Sequence, residues 1–265
     1  VPDLKSGDEL RFDKVMMVSK SDAVTVGKPV VDGVSVLDDD NEPLVERILA
    51  AAGQKGTGKW TVISSMEIGM PTSLIAEAVY ARIVSSLVDQ RATASETLTG
   101  PRGVITDAPD MVISDLEDAL YASKIVSYAQ GFMLFEAASD EFGWNLDAGT
   151  IASLWRAGCI IRSRFLADIT AAYRSNPELS NLLLEGFFGD AVADAEPGWR
   201  RTVGRAVAAG IPVPAYSSAL AFYDGYRSKR LPANLIQAQR DSFGAHRYER
   251  IDEPRGQFFH STWEA

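Results

Sequence analysis

The chain has 265 residues, of which 46% are hydrophobic and 23% charged, a composition typical of an ordinary folded protein. A net charge of −10 argues against a nucleic-acid surface, and no apolar run approaches the ~20 residues that a membrane span requires. The single cysteine, Cys159, excludes an internal disulfide framework and fits a reducing compartment. The polar, acidic segment Val1–Leu10 does not resemble a signal peptide, so we expect a cytoplasmic protein.

The first 39 residues differ from the rest because β-branched residues alternate there with polar ones. The pair Asp32-Gly33 stands between two valine-rich runs, a pattern typical of a β-hairpin turn. An acidic run that ends at Pro43 then marks a linker or a turn. We therefore predict a divergent β-hairpin arm over residues 1–39 and a second domain over residues 40–265.

After Pro43 the apolar residues recur at helical spacing, which predicts a bundle of helices. A short helix opens at Leu44 and ends at Gly53. A long one runs from Thr72 or Ser73, the two N-cap candidates, to about Glu96. Helical periodicity also covers residues 111–135, 148–174, 178–190, 198–209, 214–226 and 232–242, with breaks at Asn176-Pro177, Pro197, Gly210–Pro212 and Leu231-Pro232.

The glycine-rich segment Gly53–Trp60 is the first candidate anion site. Its glycines would let backbone N–H groups approach an anion, while Lys55 and Thr57 supply a charge and a hydroxyl. The glycine spacing matches a P-loop, but Trp60 stands where that loop requires Ser or Thr. From the residues alone, an anion-binding loop and a simple turn are both open.

Three cationic or titratable side chains are further candidates. Arg82 falls among apolar positions of its predicted helix, so its guanidinium must reach a partner or solvent. Arg240 at a helix end and His246 beyond a glycine-containing turn could direct two donors toward one anion. A solvated or structural role is the simpler interpretation of each. We predict no metal site.

These candidates coincide with a much longer pattern. From about Asp40 to its end, the sequence resembles the C-terminal helical domain of 6-phosphogluconate dehydrogenase. The resemblance is carried by Gly53–Pro71, Ala78–Ser86, Trp155–Ser163, Asn176–Leu179, Asn181–Leu184, Gly210–Pro214, Phe222–Arg227, Leu231–His246 and Gly256–Trp263. It implies an all-α fold, a helical bundle of that family's kind, to which the small N-terminal β-arm is added.

The resemblance also implies a set of site residues. Lys55 and Thr57 fall on the family's phosphate-binding lysine and threonine, and Arg82 on a further phosphate contact. Arg240 and His246 fall on the tail that completes the neighbouring subunit's pocket in a homodimer. Together these groups suit a small anionic or phosphorylated substrate. Catalytic residues stay unassigned, with Lys55 and His246 as the candidates.

Two parts of the family's machinery have no counterpart in this sequence. Without a strand–Gly-x-Gly-x-x-Gly–helix unit, we expect NADP only where a separate Rossmann domain or chain supplies its site. The family stretch of the Lys-Met-Val-His-Asn-Gly-Ile-Glu-Tyr type, which holds the general base and general acid, is also missing, and Asp13–Lys20 does not replace it. A long central helix is missing with it, so we expect the arm or a partner subunit to cover the apolar surface left behind.

Three functions follow as hypotheses. The first is the substrate-binding and dimerising domain of an enzyme that oxidatively decarboxylates 6-phosphogluconate in the pentose phosphate pathway, with the NADP domain supplied separately. The second is a repurposed, cofactor-free lyase, isomerase or cyclase of a biosynthetic pathway, in which the cationic pocket stabilises an enolate or carboxylate. The third is a non-catalytic sugar-phosphate-binding module.

Overall fold

The computed structural model describes residues 19–20, 23–24, 44–101, 103–156, 161, 163 and 165–263. Within these ranges nine α-helices and two short 3-10 helices follow one antiparallel pair of two-residue strands. The predicted all-α fold is therefore confirmed. None of the helices in these ranges is long and apolar enough to cross a membrane. The cytoplasmic location stays a prediction.

The strands β1 (Ser19–Lys20) and β2 (Ala23–Val24) pair with Ser19 opposite Val24. The predicted hairpin at Asp32-Gly33 lies outside the described residues, and the division of the chain at residue 39 stays a prediction.

The helices are α1 (Thr57–Ile68), α2 (Ser73–Ser86), α3 (Val88–Thr97), α4 (Pro109–Phe142), α5 (Ala148–Leu154), α6 (Phe165–Ser175), α7 (Gly186–Ala209), α8 (Pro214–Tyr226) and α9 (Ala233–Gly244). The 3-10 helices are Leu44–Arg47 and Leu182–Leu184.

The chain forms two compact units, an N-terminal unit of residues 1–221 and a C-terminal unit of residues 222–265. In the N-terminal unit, α4 packs along α7. Alanines recur on the buried face of α4, and these small side chains let another helix approach closely. Helix α7 buries Phe188 and Trp199, each of which contributes roughly 1.5–3 kcal/mol of apolar burial.

The start of α2 is held by α4 rather than by its own cap residue. Buried Gln130 accepts a hydrogen bond from Leu74 N at 3.1 Å and donates one to Ser73 Oγ at 2.9 Å. Thr72, one of the two predicted candidates, occupies the N-cap position, but its hydroxyl donates to Ser65 Oγ at 2.8 Å. Helix α2 therefore begins where a side chain from α4 accepts from one of its first backbone N–H groups, that of Leu74.

A buried carboxylate also joins α4 to α7. Asp115 is 2% exposed and accepts hydrogen bonds from Arg201 and Arg205, while Arg205 Nε donates to Asp107 Oδ1 at 3.0 Å. The Arg201 hydrogen bond is the largest influence on the pKa of Asp115, and with Arg205 it overcomes the effect of burial and lowers that pKa. The ion cluster therefore fixes the register of the two central helices.

Several predicted helix boundaries were wrong. The helix from Leu44 to Gly53 is only a 3-10 turn, Leu44–Arg47. The helix predicted over residues 72–96 is two helices, because the backbone leaves helical geometry at Leu87, with φ −82° and ψ 54°. Pro197, predicted as a break, lies inside α7. The segment predicted over residues 148–174 is the separate helices α5 and α6.

Candidate functional site

The glycine-rich segment forms the start of a helix that the sequence analysis did not predict. Gly56 has a φ of 110°, a backbone conformation that glycine adopts easily, and Thr57 is the first residue of α1. Both Lys55 and Thr57 are exposed. The first backbone N–H groups of an α-helix have no acceptor within the helix. The segment is therefore neither a P-loop nor a simple turn but an exposed helix N-terminus flanked by a lysine.

The same segment runs alongside the helix that carries Arg82. A Cβ added at Gly58 would lie 2.9 Å from Val79 Cγ2, so only glycine permits this approach of α1 to α2. Ala52 N donates to Ser85 Oγ at 2.9 Å. Val79, Arg82 and Ser85 follow each other at three-residue spacing, which places them on one face of α2. Arg82 therefore lies between the two points at which residues 52–58 touch α2.

Arg91 of α3 holds the residues that come just before the glycine-rich segment. Its Nη2 donates to Ala50 O at 2.7 Å and to Ser85 O at 3.1 Å. The Arg91 guanidinium thus joins the backbone just before the glycine-rich segment to the C-terminal end of α2. No motif connects residues 50, 85 and 91, so this role of Arg91 could not be predicted from the sequence. Lys55 and Thr57 lie in the segment between the Ala52 and Gly58 contacts, and Arg82 lies on the helix that these two residues touch.

The other two predicted residues lie in the C-terminal unit at the end of α9. Arg240 and His246 are both exposed. Arg240 Nη1 donates to Gln237 Oε1 at 3.0 Å. The helix ends at Gly244, and a Cβ added there would stand 2.9 Å from His246 Nε2, so the imidazole lies against the glycine backbone. The convergence of all five residues on one anion stays a prediction.

Asp241, next to Arg240, is a buried carboxylate that the sequence analysis missed. It accepts hydrogen bonds from Arg247 N at 2.8 Å, Ser261 N at 3.1 Å and Trp263 Nε1 at 2.8 Å, and it pairs with His260 Nδ1 at 3.0 Å. Burial raises the pKa of Asp241, but hydrogen bonds from Trp263, His260 and the two backbone groups overcome that effect and hold the pKa well below its usual range. The carboxylate therefore stays ionised and binds the end of the chain to α9.

Other features of the described residues add no second site. A shallow depression of about 320 Å³ beside α9 is lined by Leu235, Ala238, Gln239, Ser242 and Trp263, and its surface is mostly apolar. None of the predicted site residues lines it. Among the residues that the structure describes, no group of three or more His, Cys, Asp or Glu side chains is placed to hold a metal ion.

A family model for the C-terminal domain of 6-phosphogluconate dehydrogenase matches residues 28–263, so the match begins inside the segment predicted as a divergent arm. Rat decarboxylating 6-phosphogluconate dehydrogenase is 56% identical over 227 residues, 85% of this chain and 47% of the rat protein. Decarboxylating 6-phosphogluconate dehydrogenase 2 of Saccharomyces cerevisiae is 58% identical over 219 residues, 82% of this chain and 44% of the yeast protein.

The fold is also similar to a solved structure. The 6-phosphogluconate dehydrogenase of Plasmodium falciparum, solved in its apo form, with NADP+ and with 6-phosphogluconate, aligns with a TM-score of 0.80 and 40% identity. The alignment covers 85% of this chain and 49% of the Plasmodium chain. This chain therefore spans about half the length of the relatives that it matches.

Proposed function

This chain belongs to the 6-phosphogluconate dehydrogenase family, whose C-terminal domain it matches, and on that premise we propose that it is the substrate-binding and dimerising domain of such an enzyme. Its ligand is 6-phosphogluconate or a close phosphorylated sugar acid. The observation that carries this proposal is the path of residues 52–58 along the face of α2 that holds Arg82.

That path supports a phosphate site at the start of α1. The positive end of a helix dipole favours an anion, and its first N–H groups can donate to phosphate oxygens. Lys55 adds an ammonium, Thr57 a hydroxyl and Arg82 a guanidinium able to make two parallel hydrogen bonds. The attraction of these nearby donors for an anion outweighs the repulsion from the chain's net charge of −10. In ordinary salt solution, exposed charges more than roughly 10 Å away are largely screened.

A homodimer is the second part of the proposal. Helix α1 leaves large apolar side chains in contact with solvent, with Trp60 60%, Ile63 46% and Met66 68% exposed. Large apolar patches on soluble proteins mark interaction surfaces, so these residues support a partner subunit on α1. We further propose that Arg240 and His246 of each C-terminal unit complete the pocket of the other subunit, as the family resemblance implies.

NADP has no part in the chemistry that we assign to these residues. Among the described residues, the glycine-rich segment follows coil rather than a strand, and β1 and β2 form an antiparallel pair. A dinucleotide pyrophosphate site of the usual kind requires a parallel strand that leads into the glycine-rich turn. The described residues do not fit that group. Oxidation and decarboxylation by the whole enzyme therefore require a further domain, on this polypeptide or on another.

Calorimetric titration of the full chain with 6-phosphogluconate tests the phosphate site. Gluconate, which lacks the phosphate, should bind much more weakly. Arg82→Met should weaken 6-phosphogluconate binding about tenfold to a hundredfold, because hydrogen bonds to charged groups contribute roughly 1.5–3 kcal/mol. The control Arg174→Met removes an exposed arginine from α6 and should leave affinity unchanged. Equal affinity for gluconate and 6-phosphogluconate would overturn the phosphate site.

Subunit mixing tests the composite pocket. Chains with Arg82→Met and chains with His246→Ala should each bind poorly. After unfolding and refolding together, mixed dimers regain one intact pocket each, so about a quarter of all sites should recover full affinity. No recovery, in a mixture that light scattering shows to be dimeric, would place both residues in the pocket of a single subunit. Substrate binding without turnover, in the presence of a complementary NADP domain, would favour a binding module.

A further inference from the structure

Two side chains of α9 hold both backbone polar groups of the residue after His246. Gln237 Nε2 donates to Arg247 O at 2.5 Å, and Arg247 N donates to Asp241 Oδ1 at 2.8 Å. Gln237 and Asp241 are four residues apart, so they lie on one face of the helix, one turn from each other. Arg247 is thereby fixed to α9 through its backbone.

The backbone around His246 needs such support. Ala245 and Arg247 have φ angles of 51° and 53°, in the left-handed region that residues other than glycine rarely adopt. These two residues flank His246 on both sides. A pair of disfavoured conformations persists only where the surrounding structure holds it in place. The direction of the His246 side chain therefore depends on the contacts that Gln237 and Asp241 make.

Gln237 also holds the second predicted anion donor of the C-terminal unit. Its Oε1 accepts the hydrogen bond from Arg240 Nη1 while its Nε2 donates to Arg247 O. The amide has one acceptor and one donor end, and each is used for a different partner. A single side chain is thus hydrogen-bonded both to the guanidinium of Arg240 and to the backbone beside His246.

The Asp241 carboxylate, which accepts from Arg247 N, is held firmly in place. The residue is fully buried, and its carboxylate also binds Ser261 N, His260 and Trp263 Nε1. Buried ionised groups that are bound by several donors are held firmly, because any movement leaves charge unsatisfied. Asp241 therefore provides the fixed point, and Gln237 provides the connection to Arg240.

We propose that Gln237 is a positioning residue, which orients Arg240 and His246 together as a paired donor site for the phosphate of the ligand. This inference rests on the proposed function, because the anion is the one assigned there. Gln237 itself does not touch the ligand. Its two hydrogen bonds restrict the Arg240 side chain and the backbone beside His246 before the ligand binds. Less conformational entropy is then lost on binding, and such preorganisation raises affinity.

The test replaces Gln237 with methionine, which has nearly the same shape but neither hydrogen-bonding group. Gln239→Met is the matched control, because Gln239 lies on the same helix and is exposed. Calorimetry of the full chain with 6-phosphogluconate should show about tenfold weaker binding for Gln237→Met, close to what one lost charge-assisted hydrogen bond would give. Gln239→Met should bind as the unsubstituted chain does, and the melting temperatures of the two variants should agree.

Nitrogen-15 NMR of the histidine side chains separates positioning from general stability. The chain has two histidines, so the signals of His246 and His260 can be assigned by substitution. In Gln237→Met the His246 signal should shift before ligand is added, and the His260 signal should not. In a His246→Ala chain, adding Gln237→Met should cost less affinity than it does in the unsubstituted chain, because the two residues act together.

The outcomes distinguish this inference from the proposed function. If the unsubstituted chain binds 6-phosphogluconate and Gln237→Met binds equally well with an unchanged His246 signal, the positioning role is overturned and the proposed function stands. If the unsubstituted chain binds neither 6-phosphogluconate nor inorganic phosphate, both fall. A Gln237→Met chain that loses affinity only in proportion to a lower melting temperature also overturns the positioning role.

Discussion

Gly58 lies so close to Val79 that a methyl group at residue 58 would meet Val79 Cγ2 at 2.9 Å. Val79 is buried on α2, and its β-branched side chain has one strongly preferred rotamer in a helix, so its methyl group does not move aside easily. Gly58→Ala should therefore push α1 away from α2 and lower the free energy of unfolding by roughly 1–3 kcal/mol. Chemical denaturation measures this loss. Affinity for phosphate should fall as well, because Lys55 and Thr57 move with α1.

The control for that substitution is Gly53→Ala, at a glycine with no atom within 4 Å of the added carbon. Its unfolding free energy should stay within about 0.5 kcal/mol of the unsubstituted chain. Equal stability of the two alanine variants would mean that the approach of α1 to α2 does not require glycine.

Gln130→Leu should destabilise the start of α2. The substitution removes the acceptor for Leu74 N and the donor to Ser73 Oγ, and it leaves these groups partly buried without their partner. We expect a loss of about 1–3 kcal/mol in urea denaturation. Gln90→Leu, an exposed glutamine on α3, should change stability by less than about 0.5 kcal/mol. A Gln130→Leu chain as stable as its control would contradict the capping role.

Arg205→Met should weaken the joint between α4 and α7. Arg205 is 14% exposed and binds both Asp115 and Asp107, so its loss leaves a buried carboxylate with less compensation. A scan of thermal unfolding should show a melting temperature lower by about 5–10 °C. In Arg227→Met the broken pair with Asp224 is exposed, and the shift should be less than about 2 °C. Similar shifts for both variants would argue against a special role for the buried cluster.

The stability of the C-terminal unit should depend on pH through Asp241. The pKa of Asp241 is lower in the folded chain than in the unfolded chain, where a free aspartate titrates near pH 3.9. The unfolded state therefore binds more protons between the two values. The stabilisation is complete above about pH 4 and is lost as the pH falls toward the folded pKa.

Hydrogen exchange of the Trp263 indole N–H against pH measures this dependence. Protection of this N–H, relative to a free indole at the same pH, should persist down to about pH 4 and fall below it. Asp241→Asn should remove the dependence and expose the indole at all pH values, whereas Asp190→Asn, at an exposed aspartate of α7, should leave the profile unchanged. An unchanged profile in Asp241→Asn would show that the carboxylate does not hold Trp263.

The sequence predicted the helices whose ends carry strong local signals. Helix α8 begins at Pro214, a residue favoured in the first turn, and its predicted range of 214–226 is the observed one. Helix α1 was missed because it has no Ser, Thr, Asp or Asn cap and because its apolar Trp60 and Met66 face solvent. Periodicity detects a helix by its buried face, so a helix with exposed apolar residues is not recognised.

Site residues that belong to a sequence motif could be predicted, whereas a residue whose partners lie far along the chain could not. Lys55, Thr57 and Arg82 could be named from the resemblance, and their region is the one that Arg91 and Ser85 hold together. Asp241 could not be found in that way, because its donors come from residue 247 and from residues 260–263. No periodicity or motif connects an aspartate with groups about twenty residues farther along the chain. Only the folded backbone brings them together.

An antiparallel β-bridge between Tyr248 and Phe259 closes a loop near the end of the chain. This loop suggests where the protein can be modified. Tyr248 and Phe259 exchange two backbone hydrogen bonds, of 2.9 and 2.8 Å, and Tyr248 also contacts the Ser261 hydroxyl. Residues 249–258 therefore form a loop whose two ends are fastened at its base. A nick or an inserted peptide in that loop would leave both flanks docked on α9. This loop is accordingly the natural position for a reporter or an affinity tag.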